Sequence, residues 1–142
     1  MRKIKKYEIV IGIDAGVHTG YAIWNKKTKT LIVAKSLKIH EAMVRVKMLY
    51  ESNSNTLVRV EDARQRKWFG NAGREKLQGA GSVKRDSQIW EDYLKDLGVD
   101  FVMVAPKNNT TKLNAESFKQ ITGYQGKTNE HARDAAMLCF GF

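Results

Sequence analysis

Apolar residues along this chain switch between two periods, and each switch marks an element. Residues 7–14, YEIVIGID, are β-branched and nearly continuous in apolar character, the pattern of a central strand covered on both faces. Asp14 stands at the end of that strand, and AGVHTG after it is a glycine-punctuated turn. Tyr21 to Trp24 and Thr30 to Ala34 flank a polar NKKTK tip and predict a β-hairpin, which makes the first three strands antiparallel. Over 38–51 the period becomes helical, with Ile39, Met43, Val46 and Tyr50 on one face. Residues 56–61, TLVRVE, return to a strand that ends in Glu61. Residues 82–97 place Val83, Ile89, Trp90, Tyr93, Leu94 and Leu97 on one broad stripe, a helix stopped by Gly98. Residues 99–104, VDFVMV, form a strand before Pro106. The polar, basic stretch 107–128 holds a short helix around Ala115 to Thr122. Thr128 or Asn129 then caps a last helix with Ala135, Ala136, Leu138 and Cys139 inward.

The order is three strands, helix, strand, helix, strand, helices. Right-handed crossovers make the last two strands parallel to the first. The expected fold class is therefore α/β: a mixed five-stranded sheet, three antiparallel strands then two parallel, with helices on both faces. No repeat, linker or low-complexity tract interrupts it, so residues 1–142 are expected to form one domain. In such sheets active groups gather at the carboxyl ends of the strands.

Charge narrows the partners. Lys and Arg number 25 against 15 Asp and Glu, a net charge of +10, which favours phosphate-rich ligands through counterion release. Residues 64–81 concentrate this character: Arg64, Arg66, Lys67, Arg74 and Lys76 surround Trp68 and Phe69 among several glycines, an expected flexible basic segment. Lys67, Arg74, Lys76, Lys84 and Arg85, with Lys107 and Lys112 beyond the last strand, are the candidate phosphate contacts. The single cysteine, Cys139, excludes an intramolecular disulfide and any cysteine-rich zinc motif, and reads as a small buried hydrophobe. No run approaches the roughly 18 apolar residues of a membrane span, so a reducing, cytoplasmic setting is expected.

Against this basic background the acidic groups stand out. Asp14 and Glu61 each end a strand, and His131 and Asp134 lie three apart on one helix face. Strands one and four as neighbours would bring all four side chains to one point. Crowded carboxylates repel and hold protons unless a cation joins them. Mg²⁺ or Mn²⁺ suits oxygen ligands. Two such ions about 3.5–4 Å apart activate a water and stabilise a leaving 3′ oxygen. Asp14 is the first choice for a bridging ligand. Asp62 is the alternative to Glu61, and His131 either ligates metal or positions the attacking water.

In this order and spacing, IGIDAGVHTGYAIW, LVRVED and NEHARDAA resemble the RuvC-type Holliday junction resolvases of the ribonuclease H-like superfamily, and the small size resembles bacteriophage-encoded members. The resemblance spans essentially the whole chain. It implies a ribonuclease H-like fold and a homodimeric crossover junction endodeoxyribonuclease. Such an enzyme binds a four-way junction or other branched DNA. It makes paired symmetric nicks with Mg²⁺ or Mn²⁺, leaving 5′-phosphate and 3′-hydroxyl ends. The setting implied is the cytoplasm of a bacterium or of a phage-infected host. The family's four catalytic and metal-site positions fall on Asp14, Glu61, His131 and Asp134. Many members have proline where this chain has Ala15, and a second aspartate where it has His131. An aromatic near Trp68 or Phe69 is expected to stack on bases at the opened junction; the other role for either ring is to anchor its loop. Two further readings compete. The glycine turn of IGIDAGVHTG also suits the phosphate loops of sugar kinases and actin-like ATPases, although 142 residues lack their second lobe. A basic junction- or RNA-binding module without catalysis is the other.

Overall fold

The computed structural model describes residues 6–65 and 74–142, with the backbone alone over 74–80. Its strands are β1 (Ile9–Asp14), β2 (His18–Asn25), β3 (Thr30–Lys38), β4 (Thr56–Glu61) and β5 (Asp100–Val104). Its α-helices are α1 (Ile39–Ser52), α2 (Arg74–Leu97), α3 (Ala115–Thr122) and α4 (Glu130–Cys139). The five strands form one sheet in the order β3-β2-β1-β4-β5. β2 runs antiparallel to both β1 and β3, while β4 is parallel to β1 and β5 is parallel to β4. This is the mixed α/β sheet that the alternating periods imply.

Side chains alternate across a strand, and here the alternation sorts the core into two layers. Ile9, Ile11 and Ile13 of β1 and Val58 and Val60 of β4 face α1 and α2, where Ala42, Val46, Trp90 and Leu94 complete one cluster. Val10 of β1 and Ala22 and Trp24 of β2 face the other way, against Phe118 of α3 and Ala132, Ala135, Ala136 and Cys139 of α4. Helices therefore cover both faces. Cys139 is fully buried, and burial pushes its thiol up to about 12, so it packs as an inert apolar group.

Three local features differ from the periodicity. β2 and β3 extend beyond their apolar centres, because polar residues such as His18 and Lys38 still pair in the ladder. The helix predicted over 82–97 begins at Arg74; Arg74, Glu75, Lys76, Leu77 and Gln78 are good helix formers and carry it through Gly79 and Gly81. The helical stripe on 82–97 divides: Trp90 and Leu94 are buried, whereas Val83 and Ile89 are exposed. Helix ends follow their chemistry. Asn129 accepts the Ala132 N–H at 2.9 Å to cap α4, Asn114 accepts the Ser117 N–H at 2.7 Å to cap α3, and Gly123 at φ 73° closes α3. Among the described residues no helix is long and apolar enough to cross a membrane.

Candidate functional site

Strand parity decides which acidic side chains meet. In β1 the face that carries Val10 and Gly12 also carries Asp14; in β4 the face that carries Leu57 and Arg59 also carries Glu61. Parallel pairing sets Ile13 beside Val60, so Asp14 and Glu61 follow as neighbours at the carboxyl edge, on the α4 side. Asp62 falls on the opposite side. It is buried and accepts hydrogen bonds from Arg64 Nε at 2.8 Å and Nη2 at 3.0 Å. Arg64 also reaches Glu91 of α2 at 3.2 Å. Asp62 is thus committed to a link with α2, and its pairing with Arg64 and Gln65 outweighs burial to hold its carboxyl below the ordinary range.

Helix α4 reaches the edge because two glycines let it lie on the sheet. A Cβ at Gly12 would collide with the Ala135 carbonyl oxygen, and one at Gly20 with the His131 carbonyl oxygen. Gly20 pairs with Asp14 across β1 and β2. Seated there, α4 brings His131 Nδ1 to 3.4 Å from Asp14 Oδ2. His18, at the start of β2, lies with its ring centroid 5.8 Å from that of His131. That approach depends on the packing of α4, and no spacing in the sequence signals it.

The segment after β5 completes the pocket. Asn109, just past a 3-10 turn at Pro106–Asn108, donates its side-chain amide to Glu61 Oε2 at 3.2 Å and to the Asp134 carbonyl at 3.2 Å. The Lys112 N–H donates to Asp134 Oδ1 at 3.0 Å. Asn109 was not a candidate from the sequence, because an asparagine in a polar loop gives no signal until its neighbours are known.

Electrostatics tie these groups together. Asp14 is pushed up to about 8, first by burial and then by the charges of Glu61, Asp134 and Glu130. Asp134 is also raised, chiefly by burial, with the Lys112 N–H opposing. Three carboxylates and an imidazole therefore lie near one another at the carboxyl edge of the sheet. Among the described residues no three His, Cys, Asp or Glu side chains are grouped tightly enough to hold a metal ion as they stand. In charge and donor type the set would suit a divalent cation, whose charge would offset the mutual repulsion of Asp14, Glu61 and Asp134.

The candidate DNA contacts divide. Lys67, Trp68 and Phe69 lie outside the described residues, and for Arg74 and Lys76 only their place in the first turn of α2 is described. Lys84 and Arg85 follow on α2, which runs back from the carboxyl edge to the start of β5. Lys107 and Lys112 are exposed on the segment beside Asn109. A concavity of about 740 Å³ along α1, lined by Tyr21, His40, Val44 and Met48, lies on the opposite face of the sheet from the carboxylates.

No family model matches the chain, and no curated protein matches it. Its fold is similar to that of a solved structure, T. thermophilus RuvC in complex with Holliday junction substrate, at 18% identity and a TM-score of 0.60, covering 94% of this chain and 91% of the other. Taken with the strand order, that likeness makes the fold RuvC-like within the ribonuclease H-like class.

Proposed function

We propose that the protein is a metal-dependent, structure-selective DNA endonuclease that resolves Holliday junctions by paired symmetric nicks, acting as a homodimer. The observation that carries this reading is the convergence of Asp14, Glu61, Asp134 and His131 at the carboxyl edge of the sheet. Its basic setting, net charge +10, supports a polyanionic substrate. A solved RuvC complexed with a Holliday junction has a similar fold, which supports a junction as that substrate.

Asp14, Glu61 and Asp134 would hold Mg²⁺ or Mn²⁺, with His131 as a fourth ligand or as the group that orients the attacking water. When bound, such ions supply an activated water and stabilise the leaving oxygen. The chain's own residues prepare the ground. Burial and the neighbouring anions push Asp14 up to about 8, and a bound cation would offset that repulsion. The Lys112 N–H fixes one oxygen of Asp134. Lys84, Arg85, Lys107 and Lys112, with Lys67, Arg74 and Lys76, are assigned to phosphates, and Trp68 or Phe69 to stacking on an exposed base. The homodimer is supported by apolar side chains left exposed on the α1 and α2 side of the sheet: Val44, Met48 and Ile89.

The test is nicking of a synthetic four-way junction against linear duplex of the same sequence, with Mg²⁺, with Mn²⁺ and with chelator. The expected result is metal-dependent nicking of the junction that leaves 5′-phosphate and 3′-hydroxyl ends. Asp14→Asn should lose cleavage by roughly 1,000-fold or more while still binding the junction. Full activity of Asp14→Asn would refute the assigned chemistry. Equal cutting of flaps, forks and junctions would widen the substrate class, and binding without nicking would leave a binding module.

A further inference from the structure

We infer that Asn109 is a positioning residue that fixes Glu61 and Asp134 relative to each other, an inference that rests on the metal-nuclease reading above. Glu61 ends β4, and Asp134 sits one turn into α4. The two groups belong to different elements and carry like charge, so their spacing needs a tie. Asn109 supplies one: its Nδ2 donates at 3.2 Å to the Glu61 carboxylate and at 3.2 Å to the Asp134 backbone carbonyl. Only a group with two N–H donors on one atom and no charge makes both bonds without adding an ion. Aspartate offers no donor when ionised, and serine offers one.

The loop that presents Asn109 is itself held down on α4. The Lys112 N–H bonds the Asp134 carboxylate at 3.0 Å, and Arg133 Nε bonds the Leu113 carbonyl at 2.7 Å. Lys112 adopts φ 60°, a left-handed conformation uncommon for a residue with a side chain, and the bonds on either side over-determine it. Exposed Lys107 and Lys112 ride on this same segment. A strand of phosphates bound there would bear on the loop that orients the two carboxylates.

The experiment measures Mn²⁺ binding by calorimetry on wild type, Asn109→Ala and Asn109→Gln, alongside junction binding in chelator and steady-state cleavage. Loss of the amide should weaken Mn²⁺ by about tenfold or more, as removal of a partner bonded to a ligand does. It should lower kcat while KM and metal-free junction binding stay within about twofold. Asn109→Gln, which keeps the amide, should recover part of the metal affinity. If Asn109→Ala does not fold, Asn109→Ser carries the same comparison with one donor left. Wild-type Mn²⁺ affinity and kcat in a folded Asn109→Ala protein would overturn the inference and leave the nuclease reading intact. So would loss of junction binding with metal affinity unchanged, which would make Asn109 a DNA contact. A wild type that binds no Mn²⁺ and cuts no junction would instead remove the reading, and the inference with it.

Discussion

At the scale of single residues, the proposed chemistry centres on Asp14. Its carboxyl titrates near 8 in the folded chain against an ordinary 3.8, because burial and the charges of Glu61, Asp134 and Glu130 oppose ionisation. The native state then binds more protons than the unfolded chain between those values. This contribution to stability is complete below the ordinary value and is lost as pH rises through the folded one. Metal-free wild type should therefore melt at progressively lower temperature from about pH 5 to about pH 8. Asp14→Asn should flatten that slope and raise Tm at pH 7.5 by about 3 °C or more. Added Mg²⁺ or Mn²⁺ should raise Tm for the wild type and not for Asp14→Asn. Melting curves across pH, with and without metal, check this, and a steep slope retained by Asp14→Asn would contradict it. Asp14 and Glu61 were legible in the sequence because each ends an apolar strand. The sequence favours Glu61 over Asp62 only because it continues the strand more directly; it does not show what separates the two, the α4 side for Glu61 and Arg64 for Asp62. Asn109 and His18 were invisible for a related reason: their partners, on α4 and β4, are far off in sequence.

Among the elements, α4 matters most, and its seat is built from absences. Gly12 and Gly20 have no side chain, so the α4 backbone rests directly on β1 and β2. Gly20→Ala should push α4 away at His131. Overpacking of this kind costs about 1–3 kcal/mol. The larger effect should fall on cleavage, because the shift separates His131 from Asp14. Gly98→Ala is a suitable control. It meets no neighbour but sits at φ 82°, so it should cost stability through strain and leave the cleavage rate of the folded protein unchanged. Denaturant melts paired with junction cleavage distinguish the two. The start of α2 was the element hardest to read from sequence. Gly79 and Gly81 disguise its first turns, and glycine lowers helix propensity by about 1 kcal/mol per residue. The ladder of favourable residues upstream and the buried Trp90 and Leu94 downstream outweigh that cost.

For the whole molecule, charge and topology act together. The parallel β1–β4 pair makes two distant carboxylates neighbours, in a chain of net charge +10. Junction binding should accordingly weaken by about 100-fold or more between about 50 and 200 mM salt, as neutralisation of roughly four phosphates requires. A salt titration with near-constant affinity would contradict the phosphate contacts assigned to Lys84, Arg85, Lys107 and Lys112. The sheet order was legible because apolar periodicity and the handedness of crossovers leave few arrangements. The arrangement of the pocket was not, because it depends on bonds such as those from the Asn109 side chain and the Lys112 backbone N–H. The most direct measurement is an anomalous difference map from crystals of the protein soaked in Mn²⁺. A peak ligated by Asp14 together with Glu61 and Asp134 is the predicted result. No Mn²⁺ at those carboxylates, under conditions where the protein cuts a junction, would contradict the account.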